Sequence, residues 1–220
     1  GFKAINRKGK YLVTGTPCQI DSFRRYIRRF NVEDNFVLMD FFCHSVPSML
    51  AWNKYLQIVE MKIGKVVHAS WRNKNTGWHD SWAMALNNNE YTEIDKSQIK
   101  SKNLERNVYN SRRSEGDVFY ELFLGDYCCN PACQKNCKYK YDKSSADIRI
   151  GDFWGKTYQN NEDGVSAVVA FTDKGAEIIQ KTDCTLIEHP FEIVAERQMK
   201  KNVRKAYTSS IMYHLLASKR

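Results

Sequence analysis

The sequence predicts an α/β fold in which a mixed sheet is flanked by helices and joined to an irregular cysteine-rich loop. Two observations indicate this class. Strand-like and helical segments alternate over residues 11–63, which is typical of parallel strands joined by helices. The middle of the chain instead shows alternating apolar and polar residues between turn signals, so α+β elements are expected there. With 220 residues the chain can bury a core without disulfides, and we treat residues 1–220 as a single domain.

The first strand and helix are predicted from a short apolar run and a helix-start signal. Tyr11–Thr14 is expected to form a buried strand. Pro17 suits the first position of a helix, and Thr16 suits its N-cap. Apolar residues then recur at helical spacing, at Ile20, Phe23, Ile27 and Phe30.

The next strand and helix follow the same logic. The nearly continuous apolar run of residues 35–42 is typical of a strand covered on both faces. Pro47 and Ser48 are expected to open a second helix, with Leu50, Leu56, Val59 and Ile63 on its buried side.

The rest of the chain is predicted less regularly. We leave residues 95–112 unassigned and expect Cys184 to lie in a strand of the core. Strands are predicted at 66–71, 81–86, 91–94, 147–150 and 165–172, helices at 118–124 and 174–181, a cysteine-bearing loop at 126–143, and helical character over 191–220.

Charge and cysteine content restrict the class of protein. Lys and Arg exceed Asp and Glu by 34 to 25, and the net charge of +9 favours an anionic partner. Seven cysteines without a secretion signal predict a reduced, cytoplasmic chain that uses some thiols for metal or redox chemistry. No apolar run approaches the roughly 20 residues of a membrane span. Because the chain begins so close to a strand, Gly1 is interpreted as a cloning remnant and an N-terminal segment as missing.

Two cysteines follow successive predicted strands. Cys18 would be the second residue of its helix, where free backbone N–H groups and the helix dipole stabilise a thiolate. The same position could hold a phosphate, or Cys18 could be a small buried residue. Cys43 follows the next strand, and carboxyl ends of parallel strands share the sheet edge where ligands bind. His44 beside it is a candidate ligand, a candidate acid or base, a candidate hydrogen-bond donor to a cofactor, or a residue that only orders its loop.

Four further cysteines lie within ten residues, at Cys128, Cys129, Cys133 and Cys137. Such a density in a loop is difficult to explain by core packing and favours a metal or an iron–sulfur cluster. Two shorter segments carry weaker signals. Residues 151–155 pair glycines with Asp152 and two aromatic rings, which suits either a planar ligand or an ordinary turn. Residues 71–78 mix cations and aromatic rings, which suits either an anionic cofactor or an exposed hairpin loop.

Taken in order, these segments resemble the C-terminal domain of the beta-subunit family of coenzyme F-420 hydrogenases and dehydrogenases. The matching segments are residues 14–19, 43–48, 71–74, 131–138 and 150–155. The resemblance implies an iron–sulfur flavoprotein oxidoreductase that binds FAD and a 4Fe–4S cluster. It implies electron transfer between the cluster and a small redox partner, a deazaflavin in the founding members.

The resemblance also implies the residues of the site. The cluster ligands would be Cys18, Cys43, Cys133 and Cys137, and Cys129 could replace one of them because three residues separate Cys133 from Cys137 where the family usually has two. The flavin contacts would come from Thr14, Gly15, Thr16, Gln19, His44, Arg72, Lys74, Gly151, Asp152 and Trp154.

Two other functions compete with this interpretation. Four cysteinates also bind zinc, which would make the chain a basic binding module. Exchanging dithiols would instead make it a thiol redox protein. We expect an electron-donor or electron-acceptor protein as the partner, for example a ferredoxin or a hydrogenase subunit, and leave a homo-oligomer open. The cations are spread along the chain without a nucleic-acid-binding motif, which argues against nucleic acid.

Overall fold

The computed structural model describes residues 8–88, 108–198 and 200–218. Within them it confirms the predicted class, because it contains a mixed four-stranded sheet, a second antiparallel sheet and seven α-helices. The strands are β1 (Tyr11–Thr14), β2 (Phe36–Phe41), β3 (His68–Trp71), β4 (Ala83–Asn87), β5 (Val108–Arg112), β6 (Ile148–Asp152) and β7 (Ser166–Ala170). The helices are α1 (Pro17–Arg28), α2 (Met49–Ile63), α3 (Val118–Leu124), α4 (Pro131–Lys135), α5 (Asp173–Gln180), α6 (Phe191–Val194) and α7 (Ser209–Ala217).

The chain divides into two compact units. The first comprises Gly1–His44 and Lys135–Asn202, and the second comprises Ser45–Gln134 and Val203–Arg220. Each unit has its own sheet and its own hydrophobic cluster. The cysteine-rich loop passes from the second unit into the first between Gln134 and Lys135.

The first unit is built on the strand order β1-β2-β6-β7. β1, β2 and β6 run in parallel, whereas β7 pairs antiparallel with β6. The connection β1-α1-β2 is the predicted parallel unit, and α1 begins at Pro17 after Thr16 as expected. Helix α1 buries Ile20 and Ile27 in a cluster with Phe36, Leu38 and Ala146. Because α1 ends at Arg28, Phe30 lies beyond it and is 40% exposed.

The second unit is built on the antiparallel order β3-β4-β5. Ser48 accepts a hydrogen bond from the Leu50 backbone N–H and begins α2 as predicted. The buried side of α2 carries Ala51, Tyr55, Val59 and Ile63, whereas Leu50 is exposed. β5 falls in the segment left unassigned from sequence, and the strand predicted at 91–94 lies outside the described residues.

Near the carboxyl end one prediction is wrong and another is confirmed only in part. Cys184 is exposed and lies in no strand, because α5 ends at Gln180 and the chain turns, with the Cys184 N–H donating to the Thr182 carbonyl. Helical structure after residue 190 is restricted to α6 and α7, and the described residues between them form turns and irregular chain. Within the described part of the chain, none of the helices has the length and apolar character that a membrane span requires.

Candidate metal centre

Three parallel strands of the first unit end at one edge of its sheet. β1 pairs with β2 through Thr14 and Met39, and β2 pairs with β6 through Phe41 and Ile150. The residues that follow these strands, 15–18, 42–44 and 153–155, therefore leave the sheet at its carboxyl edge. Ligands of open α/β sheets bind at this edge. Cys18 and Cys43 accordingly follow neighbouring strands at the same edge, which is the arrangement expected from sequence.

Cys18 is the second residue of α1 and its side chain is exposed. The turn before it is fastened by Gln19, whose Oε1 accepts a hydrogen bond from the Thr16 backbone N–H at 3.0 Å. The Thr16 hydroxyl lies 3.3 Å from the Cys18 sulfur. The first N–H groups of a helix have no partner within the helix, and the dipole places positive charge there. This position therefore suits a thiolate that binds a metal.

Cys137 begins a segment of the first unit that is hydrogen-bonded to helix α1 and to the loop after β2. Two residues later, the Tyr139 hydroxyl donates a 2.8 Å hydrogen bond to Asp21 of α1. Three residues later, the Lys140 ammonium donates to the carbonyl oxygens of Cys43, at 2.6 Å, and His44. These bonds hold the segment after Cys137 against the helix that carries Cys18 and against the loop that carries Cys43. Three of the four predicted ligands thus lie on hydrogen-bonded segments of one unit.

The carboxylate of Asp21, which accepts the hydrogen bond from Tyr139, is ionised. Burial disfavours its charge, but hydrogen bonds from Ser145 and Tyr139 and the nearby Arg25 hold the pKa of Asp21 below its usual value. The reverse holds for its partner, because burial and the hydrogen bond to Asp21 raise the pKa of Tyr139 to about 12. Tyr139 therefore stays protonated and donates at neutral pH.

A buried ion pair, missed by the sequence reasoning, supports the same loop. Arg149 of β6 and Asp40 of β2 are both fully buried, and two hydrogen bonds of 2.7 and 2.8 Å join them. The guanidinium also donates to the backbone carbonyls of Tyr139, Tyr141 and Lys143. The signal that could have revealed this pair is a charged residue directly between apolar residues in each of two central strands, Asp40 in β2 and Arg149 in β6.

Cys133 lies in the second unit, on the short helix α4, and is partly buried. Helix α4 follows Asn130, whose carbonyl accepts the Cys133 N–H at 2.9 Å and whose side chain accepts the Ala132 N–H. Asn130 itself is held by its own N–H, which donates to the Val46 carbonyl. Backbone hydrogen bonds of the second unit therefore fix the position of Cys133.

Cys128 and Cys129 differ from the other cysteines of the loop, because both are fully buried. The backbone around them pairs with residues 46–48. Cys128 belongs to the core cluster that contains Tyr55 and Tyr120. The Cys129 sulfur accepts a 2.8 Å hydrogen bond from Ser45. Burial raises the pKa of both thiols, and that of Cys129 to about 12.

This contrast predicts different thiol reactivity. In the native protein Cys18 and Cys184 should react with iodoacetamide well before Cys128 and Cys129. The thiolate is the nucleophile, and a pKa raised from 9.0 to about 12 lowers the thiolate fraction of Cys129 about a thousandfold. Timed alkylation followed by peptide mass spectrometry measures this order. Equal rates for Cys129 and Cys184 would contradict the buried position of Cys129, and alkylation in denaturant serves as the control in which all sites should react.

The predicted flavin contacts divide between the units. Most lie at the carboxyl edge of the first sheet, namely Thr14, Gly15, Thr16, Gln19, His44, Gly151, Asp152 and Trp154, whereas Arg72 and Lys74 follow β3 in the second unit. Arg72 is engaged within its own unit, because its guanidinium lies 4.3 Å from the Trp82 ring centre and donates to Ser81. A Cβ at Gly151 would meet the Phe42 ring at 2.9 Å, so internal packing accounts for that glycine.

Comparison with protein families gives a match over most of the chain. The model of the C-terminal part of the coenzyme F420 hydrogenase/dehydrogenase beta subunit matches residues 8–189. Searches of the curated proteins and of the solved structures found no match. The family is associated with oxidoreductases, and the matched range contains all seven cysteines. The chain therefore belongs to the family of coenzyme F420 hydrogenase/dehydrogenase beta subunits and corresponds to their C-terminal part.

Proposed function

We propose that this chain is the electron-transfer part of an oxidoreductase subunit and that it holds a 4Fe–4S cluster. The proposal is carried by two cysteines that follow neighbouring strands at one sheet edge of the first unit, Cys18 and Cys43, and by the segment after Cys137 that is hydrogen-bonded to both of their segments. The proposed ligands are Cys18, Cys43 and Cys137 of that unit, and the resemblance adds Cys133 as the fourth.

The donor set fits such a cluster. Four cysteine thiolates are the usual ligands of a 4Fe–4S centre. Cys18 is exposed and the other three are partly buried, and no disulfide occurs among the described cysteines. Cys129 is a less suitable fourth ligand than Cys133, because its thiol is fully buried and already bonded to Ser45, whereas Cys133 is only partly buried.

An amide beside Cys133 supports the same assignment. The buried Nε2 of Gln134 has no hydrogen-bond partner in the part of the chain that the structure describes. Leaving a buried donor without an acceptor costs about 1–3 kcal/mol. Sulfur atoms of a cluster bound at Cys133 would supply an acceptor, and hydrogen bonds to sulfur are one means by which proteins tune such clusters.

When bound, a 4Fe–4S cluster supplies one-electron transfer. The residues of this chain would hold four thiolates, shield the centre from water and place it near a partner. That partner would be an electron-donor or electron-acceptor protein, and the small redox substrate would be a deazaflavin or another hydride acceptor. We also propose a cytoplasmic location, because all seven cysteines are free thiols.

FAD is the second cofactor that the resemblance implies, and we propose it on that ground. Gln19 is engaged in the turn before α1, and Arg72 is engaged with Trp82 and Ser81.

The two competing functions have weaker support. A basic nucleic-acid-binding surface is disfavoured on α1, because Arg25 pairs with Asp21, and Arg24 and Arg28 pair with Glu33. A dithiol redox protein is disfavoured at Cys128 and Cys129, because both thiols are buried with raised pKa values. Metal analysis distinguishes a zinc site from an iron–sulfur cluster.

The proposal is tested by metal analysis of protein that is purified and reconstituted without oxygen. We expect about four iron and four sulfide per chain with broad absorbance near 400 nm. Cys18→Ser should lose most of the iron, because serine removes one of the thiolate ligands. Cys184→Ser is the matched control, since Cys184 is also exposed but lies outside the proposed site, and it should keep the iron.

One result would overturn the proposal, and a second would change its ligand set. About one zinc per chain without iron would indicate a structural metal site. Unchanged iron in Cys18→Ser would remove Cys18 from the ligand set. A flavin released on denaturation, seen by its fluorescence, would add FAD to the assignment.

A further inference from the structure

Lys140 is a buried cation beside the proposed ligands. The residue is 8% exposed, and its ammonium donates to the carbonyl oxygens of Cys43, at 2.6 Å, and His44. It lies three residues after Cys137. One side chain of the first unit thus joins the segment of one proposed ligand to the backbone of another.

The charge of Lys140 is not balanced by its observed partners. Within residues 8–88, 108–198 and 200–218, its ammonium forms hydrogen bonds with carbonyl oxygens and no ion pair with a carboxylate. Carbonyl groups satisfy the N–H donors but carry no net charge. Lysines are almost never fully buried unless an anion accompanies them, because removing the charge from water is costly. A negatively charged group near Lys140 would therefore be needed to balance its buried positive charge.

We propose that Lys140 is the counter-charge of the thiolate-bound centre and raises its reduction potential. This inference rests on the proposed function. Each electron added to a cysteine-bound cluster makes the centre more negative, so a fixed cation nearby stabilises the reduced form more than the oxidised form. Burial strengthens that interaction, because the effective dielectric constant is lower than in water.

Lys174 is a matched control in the same unit. Its ammonium donates to the Phe36 carbonyl at 2.8 Å, and it also lies 3.7 Å from a carboxylate oxygen of Asp147. Phe36 begins β2, whereas Cys43 follows its end, seven residues later. At about 3.3 Å per residue, β2 spans about 17 Å from Phe36 to Phe41, and Cys43 lies beyond its far end. Lys174→Gln therefore removes the same charge far from the proposed centre.

The experiment compares the full chain with Lys140→Gln, Lys140→Arg and Lys174→Gln after anaerobic reconstitution. The readouts are iron content and the midpoint potential from a dithionite titration followed by electron paramagnetic resonance. We expect Lys140→Gln to change the reduced-to-oxidised ratio at a fixed potential at least tenfold toward the oxidised form, which is about 59 mV for a one-electron couple. Lys140→Arg and Lys174→Gln should stay near the wild-type potential.

Each other outcome is also decisive. A wild-type potential in Lys140→Gln, or an equal fall in Lys140→Arg, would overturn the inference while leaving the cluster assignment intact. If Lys140→Gln fails to hold iron, retention by Lys140→Arg supports the role of charge, and loss in both indicates a structural role only. A wild-type chain without iron overturns the proposed function and this inference together.

Discussion

Arg149→Met is expected to destabilise the protein by about 3–5 kcal/mol, the range for removing one member of a buried ion pair. The cause is the carboxylate of Asp40, which is 1% exposed and would lose two charge-assisted hydrogen bonds. The Ser144 hydroxyl, 2.7 Å away, is a neutral donor and cannot balance that charge. Methionine keeps most of the apolar volume of arginine, so the loss of stability measures the contribution of the charge and the hydrogen bonds. Denaturant unfolding at neutral pH measures it.

Arg113→Met is the matched control. Arg113 pairs with Glu121 at 3.3 Å, but both side chains are about half exposed, and such pairs contribute about 0–1 kcal/mol. A loss in Arg149→Met no larger than in Arg113→Met would contradict the buried pair. Since the guanidinium also holds the carbonyls of Tyr139 and Tyr141, the variant should additionally lower iron retention after reconstitution.

The parallel edge of the first unit could be predicted because local signals coincide there. Pro17 and Thr16 mark the start of α1, and the apolar run before Phe42 marks β2. Parallel pairing of the two strands then follows from the helix between them. The placement of Cys18 and Cys43 at one edge needs no further information.

The fastening of the Cys137 segment could not be predicted in the same way. It depends on Tyr139 reaching Asp21 and on Lys140 reaching the Cys43 carbonyl, contacts that span about a hundred residues of sequence. The local pattern of apolar and polar residues carries no information about pairs so far apart in the sequence. The sequence reasoning instead assigned Lys and Arg elsewhere, at Arg72 and Lys74, as the functional cations.

Local sequence also could not show which cysteines of the loop are ligands and which are buried. Cys129, Cys133 and Cys137 are equally spaced, so spacing cannot separate a buried thiol from a ligand. The distinction arises from tertiary pairing, because residues around Cys128 and Cys129 bond to residues 46–48 and are drawn into the core. The prediction for Cys184 is wrong for a related reason, since nothing in the local sequence reports the turn that exposes it.

Asp147→Asn is expected to cost about 3 kcal/mol at neutral pH, the lower end of the range for breaking a buried ion pair, because Arg24 keeps Glu33 as a second partner. The Asp147 carboxylate is 1% exposed. It accepts hydrogen bonds from the Leu38 backbone N–H at 2.8 Å, from Arg24 at 2.7 Å and from Thr172 at 2.9 Å. It therefore joins α1, β2 and the start of α5.

The same contacts give this variant a characteristic pH dependence. Burial disfavours the charge of Asp147, but the Leu38 N–H and Arg24 outweigh it and hold the pKa of this carboxyl below 3.8. A carboxyl with a lowered folded-state pKa contributes stability that is present above its unfolded-state pKa and is lost as the pH falls through the folded-state value. The free energy of unfolding of the wild type should thus fall toward that of Asp147→Asn as the pH drops below about 4.

Asp21, whose pKa is also lowered, contributes to both proteins, so their difference isolates Asp147. Urea unfolding of both proteins between about pH 7 and pH 3 measures that difference, with the exposed Asp183→Asn as a control expected within about 0.5 kcal/mol of the wild type. A difference that stays constant across this range would show that the charge of Asp147 contributes nothing to folding.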